Sequence, residues 1–240
     1  MVSRLLQIMS KDFYLHTPER KNFFESIYSK IASSLTPYFM NFTPNQITFF
    51  SGILGIIGSL LLVSSNYLNL LFAAILIQLY SVLDLVDGNI ARKKNLQSKF
   101  GMWLDIFFDK LIDFLIIVFM SLGIYLKVND ANILIMGILL MGVVFFNQFI
   151  MVLNVSYFAL PEYKKPQSIK GKGKKNILNF IFIIVKFYRI HLSLQHNTFL
   201  FLISFFALFN QLTFGIYFLT IHGIISLVLS IIANFIKINK

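Results

Sequence analysis

The sequence predicts an all-α integral membrane protein with about six transmembrane helices, preceded by an N-terminal amphipathic helix at the membrane interface. Three observations carry this. Of 240 residues, 57% are hydrophobic and 13% charged, against about 25% charged in soluble domains, and the mean hydropathy is +0.76. From Ile47 onward, apolar runs recur at the length of about 20 residues that crosses a bilayer. The net charge of +11 lies mainly between those runs, which suits positive-inside topology and argues against nucleic acid as a partner. With no cysteine in the chain, disulfides, zinc–thiolate sites and thiol nucleophiles are excluded.

Residues 1–42 read as a cytosolic N-terminal segment. It carries charges throughout and has no apolar core of signal-peptide type, so no cleavable signal is expected. Within it Phe23, Ile27, Ile31 and Leu35 fall four apart, one apolar stripe suited to lying along a membrane surface. Residues 43–240 read as the six-helix membrane domain.

Thr43-Pro44-Asn45 is a helix-start signal before the first span, Ile47 to Ser65. The second, Asn66 to Leu83, runs straight into Asp84 and Asp87 and then Arg92, Lys93 and Lys94. The third, Gly101 to Leu126, begins with acids and continues as FLIIVFMSLGIYL. The fourth, Ala131 to Pro161, carries no charge and is followed by the Lys- and Gly-rich stretch EYKKPQSIKGKGKKN. Ile190 to Ile236 is again free of Lys, Arg, Asp and Glu. It is too long for one helix, and Asn210-Gln211-Leu212-Thr213 divides it into the fifth and sixth spans. Residues 176–189 fit either a cytosolic extension of the fifth span or an interfacial helix. The connections expected outside, near Ser64–Asn66, Lys127–Asp130 and Asn210–Thr213, hold one basic residue, Lys127. Both termini are therefore expected in the cytosol.

Five of the ten acidic residues, Asp84, Asp87, Asp105, Asp109 and Asp113, lie in one short stretch. Asp84 and Asp87 are three apart and Asp105 and Asp109 four apart, so each pair projects from one helix face. The second and third spans are expected to form a closely packed antiparallel hairpin, with Gly101 letting them approach. Converging carboxylates repel unless cations neutralise them, and hard oxygen ligands suit Mg²⁺, Mn²⁺ or Ca²⁺. Gly88 and Ala91 clear volume beside Asp87 and Arg92 adds a fixed positive charge. A one- or two-metal site facing phosphate oxygens is the arrangement phosphoryl transfer requires, with a diphosphate as substrate.

The pattern Asp84-x2-Asp87-Gly88-x2-Ala91-Arg92-x8-Gly101-x3-Asp105-x3-Asp109 fixes eight residue types across 26 positions. It resembles the signature of the CDP-alcohol phosphotransferases, membrane enzymes of phospholipid synthesis. Thr43-Pro44-Asn45-Gln46-Ile47-Thr48 likewise resembles that family's lead-in to its first span. The resemblance implies transfer of a phosphatidyl group from CDP-diacylglycerol to a small alcohol with release of CMP. It implies two ions, Mg²⁺ or Mn²⁺, held by Asp84, Asp87, Asp105 and Asp109, with Asp109 also the base that takes the acceptor proton. Gly88, Ala91, Arg92 and Gly101 would stand on the nucleotide side. It also implies a site open to the cytosolic leaflet, of the inner membrane if the source is bacterial, and allows homodimers through the later helices. For the acceptor, Asp113 looks like members using inositol phosphate, whereas Asp109-Lys110-Leu111 looks like the glycerol-phosphate group. Asp113, Lys110, Lys172 and Lys174 are the candidate acceptor-side residues.

Other readings compete. A subgroup of the same family moves phosphocholine or phosphoethanolamine from a CDP-alcohol to diacylglycerol, but its usual Asp-His-Gly is absent at Asp109-Lys110-Leu111. A divalent-cation transporter also carries acids within spans, yet it needs a polar path onward, and ILGIIGSLLLV and FLIIVFMSLGIYL are apolar. Asp113 is expected either to touch substrate or to pair with Lys110. His191, His196 and His222 read as hydrogen-bonded structural groups, Trp103 as an interfacial anchor, and the lysine-rich loop as an orientation signal.

Overall fold

The computed structural model describes residues 23–64, 66–158 and 195–238. Among them there is no strand. The order is α1 (Phe23–Leu35), a 3-10 turn (Thr36–Phe39), α2 (Pro44–Leu61), α3 (Tyr67–Lys93), α4 (Lys99–Val128), α5 (Asn132–Phe158), α6 (His196–Leu208) and α7 (Leu212–Ile238). Helices α2 to α5 and α7 are long and apolar enough to cross a membrane, and their outer faces carry large exposed apolar side chains such as Phe49, Phe72, Phe146 and Phe214. Such surfaces require lipid; the chain is an integral membrane protein. The expected fifth span is represented by the 13-residue apolar helix α6, and the stretch upstream of it lies outside the described residues.

Local chemistry sets the helix ends. Thr43 and Gln46 form a reciprocal capping box at the start of α2, with Pro44 in its first turn, so the start signal acts as expected. The break between the last two spans is also present. Asn210 takes left-handed backbone with φ of 55°, as do Asn129 after α4 and Asn95 after α3, and asparagine tolerates that conformation better than most residues.

Helix α2 organises the packing. A Cβ at Gly52 would overlap the Phe108 ring of α4, and one at Gly55 would overlap Ile112 of α4 and stand 3.1 Å from the Tyr80 ring of α3. The second and third spans do not approach as closely as expected: the backbones of α3 and α4 stay apart, and both pack closely on α2 instead. The reason is where the small residues fall. The glycine face that permits close approach belongs to α2, whereas Gly101 faces Asn45 Oδ1 and Ser98 Oγ, each 3.1 Å from where its Cβ would stand. A gap therefore remains between α3 and α4 that only side chains bridge.

Helix α1 buries Tyr28 and Ala32 and leaves Phe23, Ile27 and Ile31 exposed at 62%, 41% and 42%. Three of the four residues of the stripe seen in sequence thus face away from the protein, and the fourth, Leu35, packs on it. Ala32 and Leu35 pack with Ile47 of α2 and Val86 and Ile90 of α3. The Tyr28 hydroxyl donates to Gln78 Oε1, and burial pushes this phenol up to about 12. Gln78 Nε2 in turn donates to Leu200 O (3.2 Å) and Ser204 Oγ (2.8 Å) on α6, so a polar residue in mid-span is fully used.

The chain divides into two compact groups. One comprises residues 23–142 and 195–221 and contains the clustered acids. At one end of it Ser64, Lys127 and Asn210 line a single cavity, and Lys127 Nζ donates to Asn210 Oδ1 at 3.4 Å. The three connections assigned to the outer side therefore meet at one end, about 20 Å along α3 from Asp84 at the helical rise between Leu70 and that residue. The second group, among the described residues, comprises 143–158 and 222–238, where Asn147 Nδ2 donates to Val143 O (2.9 Å) and Gly223 O (3.2 Å).

Candidate active site

Tyr80, Asp84 and Asp87 follow one another at spacings of four and three on α3, and Asp105, Asp109 and Asp113 at four and four on α4, so each helix presents one polar face to the gap between them. Ligand oxygens of Asp84, Asp87 and Asp105 all lie within 4.8 Å of one another. Asp84 Oδ1 is buried with no hydrogen-bond partner among the described residues. An orphaned carboxylate oxygen facing two further carboxylates is costly in a protein interior. A hard divalent cation satisfies all three at once, so the donor set fits Mg²⁺ or Mn²⁺.

One of the three carboxylates is held from outside its own helix. The Thr48 hydroxyl on α2, 3% exposed, donates to Asp87 Oδ2. Asp109 stands beside the trio, and its Oδ1 has two partners: the Tyr80 hydroxyl donates to it at 2.8 Å, and His196 Nε2 lies 3.1 Å away. His196 Nδ1 reaches Asp113 Oδ1 at 2.8 Å. Asp113 is 1% exposed and also lies 3.9 Å from Lys110 Nζ. Asp113 thus has the Lys110 partner that the sequence allowed for, and a second in His196.

Gly88 lies next to Asp87, and the atoms nearest the position of its missing side chain belong to the Arg92 guanidinium, at 3.5 Å. Arg92 Nη2 donates to Asn89 Oδ1 at 2.8 Å, and Asn89 Nδ2 donates to Thr36 Oγ1 at 3.2 Å. Ala91 follows on the same helix. Lys94 Nζ donates to Phe42 O at 2.9 Å. Gly101 sits at the foot of α4 against Asn45. Outside, Trp103 is 58% exposed and stacks on Phe100 and Phe107 at 6.1 and 5.4 Å, as an interfacial anchor would. Lys172, Lys174 and His191 lie outside the described residues.

Three residues of this site are absent from the sequence motif. Thr48 is the last residue of the lead-in to the first span, and Tyr80 precedes Asp84 by one helical turn, so both carried a positional signal. His196, read in sequence as a structural histidine, carried none: 83 residues separate it from Asp113, and only the fold brings the first residue of α6 to the acids of α4.

Comparison with known proteins agrees with this geometry. Two curated relatives resemble part of the chain. A bifunctional IPC transferase and DIPP synthase of Aquifex aeolicus is 37% identical over 86 residues, 35% of this chain and 19% of that protein. A phosphatidylinositol phosphate synthase of Corynebacterium glutamicum is 38% identical over 71 residues, 30% of this chain and 32% of that one. The chain thus spans between a fifth and a third of the length of these relatives. Among solved structures, the phosphatidylinositol phosphate synthase of Mycobacterium tuberculosis with CDP-DAG bound superposes with a TM-score of 0.52 at 16% identity, covering 87% of this chain and 93% of that one, a likeness of fold. The family description CDP-alcohol phosphatidyltransferase matches residues 41–232, most of the chain and all of the acidic site, and the protein belongs to that family.

Proposed function

We propose that this protein transfers the phosphatidyl group of CDP-diacylglycerol to the hydroxyl of a small alcohol, releasing CMP, in phospholipid synthesis. The observation that carries the reading is the meeting of Asp84, Asp87 and Asp105 oxygens within 4.8 Å, in the gap between α3 and α4, with a fourth carboxylate beside them. Asp84, Asp87 and Asp105 would hold Mg²⁺ or Mn²⁺. The metal, when bound, neutralises the diphosphate and stabilises charge on its oxygens during transfer.

This chain's own groups do the rest. Asp109 takes the proton of the acceptor hydroxyl as its oxygen bonds to the phosphatidyl phosphorus. The bond from that phosphorus to the oxygen of CMP breaks, and CMP departs with the electron pair. Gly88 and Ala91 leave room for the nucleotide, and Arg92, oriented by Asn89, supports the phosphate side. Lys110 and the lysine-rich loop with Lys172 and Lys174 stand on the acceptor side. The lipid tails enter from the bilayer through the apolar faces of the bundle. The positive-inside pattern puts both termini and the site at the cytosolic face, with the exposed stripe of α1 in the interface and residues 43–240 forming the membrane domain.

The testing experiment measures CMP release by purified protein in detergent with CDP-diacylglycerol and Mg²⁺ or Mn²⁺, adding glycerol 3-phosphate, inositol, inositol phosphate or serine singly. Acceptor-dependent CMP establishes the reaction and names the alcohol. CMP released only from CDP-choline or CDP-ethanolamine with diacylglycerol would reverse donor and acceptor. Failure to bind any cytidine nucleotide would refute the reading.

A further inference from the structure

We propose that His196 is a positioning residue for the transfer: anchored on Asp113, it holds the carboxylate of Asp109 from the side of α6. The inference deepens the transferase reading and rests on it. His196 is the first residue of α6, and its two ring nitrogens face two carboxylates one helical turn apart on α4, Nδ1 at 2.8 Å from Asp113 Oδ1 and Nε2 at 3.1 Å from Asp109 Oδ1. One flat ring spanning two carboxylates on a rigid helix has little freedom. Its plane is further set by Tyr80, whose ring meets the imidazole edge to face at 5.9 Å and 85°.

The arrangement is unequal in a useful way. Tyr80 and His196 approach Asp109 from different helices, and both bonds fall on the same oxygen, Oδ1. A carboxylate otherwise turns easily about its last torsion. Two partners on one oxygen stop that rotation and reserve Oδ2 for the acceptor hydroxyl. Asp113 reaches Asp109 through the ring. This explains a 1%-exposed acid that the transfer chemistry itself does not use. A displacement of about 1 Å in a reacting group costs about a hundredfold in rate, so the brace acts on turnover and hardly on donor binding. The bridge holds whichever partner carries the proton.

The test uses the full chain in detergent, with the acceptor identified by the CMP assay. His196→Ala is expected to lower kcat about 10- to 100-fold, the usual effect of removing an orienting partner, with the KM for CDP-diacylglycerol within about threefold. His196→Gln places an amide where Nε2 stood and recovers much of kcat, whereas His196→Asn reaches only the Nδ1 position, towards Asp113, and does not. Wild-type kcat in His196→Ala overturns the proposal. So does equal activity of the Gln and Asn variants, which a merely structural brace would give. An activity-independent arm uses ¹⁵N-histidine spectra, in which the chain's four histidines give few signals and His196→Gln identifies the one of interest. That signal moves in both Asp109→Asn and Asp113→Asn; if it is unmoved in either, the bridge is refuted. Wild-type silence with every acceptor refutes the reaction reading, while the spectra still decide the bridge.

Discussion

The Thr48 hydroxyl on α2 donates to Asp87 Oδ2 on α3, 39 residues away in sequence, and both residues are buried. This contact joins the helix that organises the bundle to the helix that carries the first two carboxylates. The Thr48 hydroxyl oxygen also lies 3.1 Å from Pro44 O, so its rotamer is set against the first turn of its own helix. Thr48→Val keeps the shape and removes the donor. Apparent Mg²⁺ affinity in the CMP assay is expected to fall about 10- to 100-fold, and Thr48→Ser should recover it. Unchanged metal dependence in Thr48→Val would show that Asp87 needs no such support.

Tyr80 offers a cleaner substitution, because its ring is fully buried against the glycine face of α2 and Phe preserves that packing. What is lost is the hydroxyl, with its bond to Asp109 Oδ1 and its 3.5 Å approach to His196 Nε2. A hydrogen bond to a charged group contributes about 1.5–3 kcal/mol, so Tyr80→Phe is expected to lower kcat about 10- to 100-fold while thermal stability and CDP-diacylglycerol binding stay near wild type. Equal loss in kcat and in donor binding would place Tyr80 on the substrate side instead.

The geometry separates two aspartates that the motif treats alike. Asp84 belongs to the metal-competent trio and Asp109 stands beside it. Asp109→Asn is expected to abolish turnover while leaving CDP-diacylglycerol binding intact, because the amide cannot take a proton. Asp84→Asn is expected to weaken both metal and nucleotide binding. Equilibrium binding of a labelled cytidine nucleotide, with and without Mn²⁺, distinguishes them, and full activity in either variant contradicts the assignment.

How much of this was legible in the sequence follows from the range of each interaction. The spans and the clustered acids depend on local patterns, an apolar run of fixed length or two carboxylates a turn apart, and those were readable. The break at Asn210 and the cap at Thr43 were readable for the same reason. The packing of α2 between α3 and α4 was not, because glycines at 52 and 55 declare closeness without naming the partner, and Gly101 invited the wrong one. His196 was illegible altogether: a histidine at the start of an apolar helix gains its role only from carboxylates on a helix far away in sequence.

Glycines give the stability test. At Gly123 a Cβ would stand 2.8 Å from Val63 Cα and overlap Leu62 O. Backbone cannot turn aside as a side-chain tip can, so Gly123→Ala is expected to cost about 1–3 kcal/mol, as overpacking does. At Gly142 in α5 a Cβ would meet nothing within 4 Å. Gly142→Ala should therefore be neutral or stabilising by up to about 1 kcal/mol through helix propensity. Thermal unfolding in one detergent compares the pair, and equal melting points would contradict the close approach of α4 to the end of α2.

Orientation can be tested directly because the natural chain has no cysteine. Gln97 and Ala131 are exposed and lie in the turns before and after α4, at its acidic and its far end. If the lysine and arginine pattern sets the topology, a cysteine in Gln97→Cys faces the cytosol and one in Ala131→Cys faces the opposite side. In intact cells a membrane-impermeant maleimide is expected to label Ala131→Cys and to reach Gln97→Cys only after permeabilisation. The reverse pattern would put the carboxylate site on the outer face and overturn the proposed orientation.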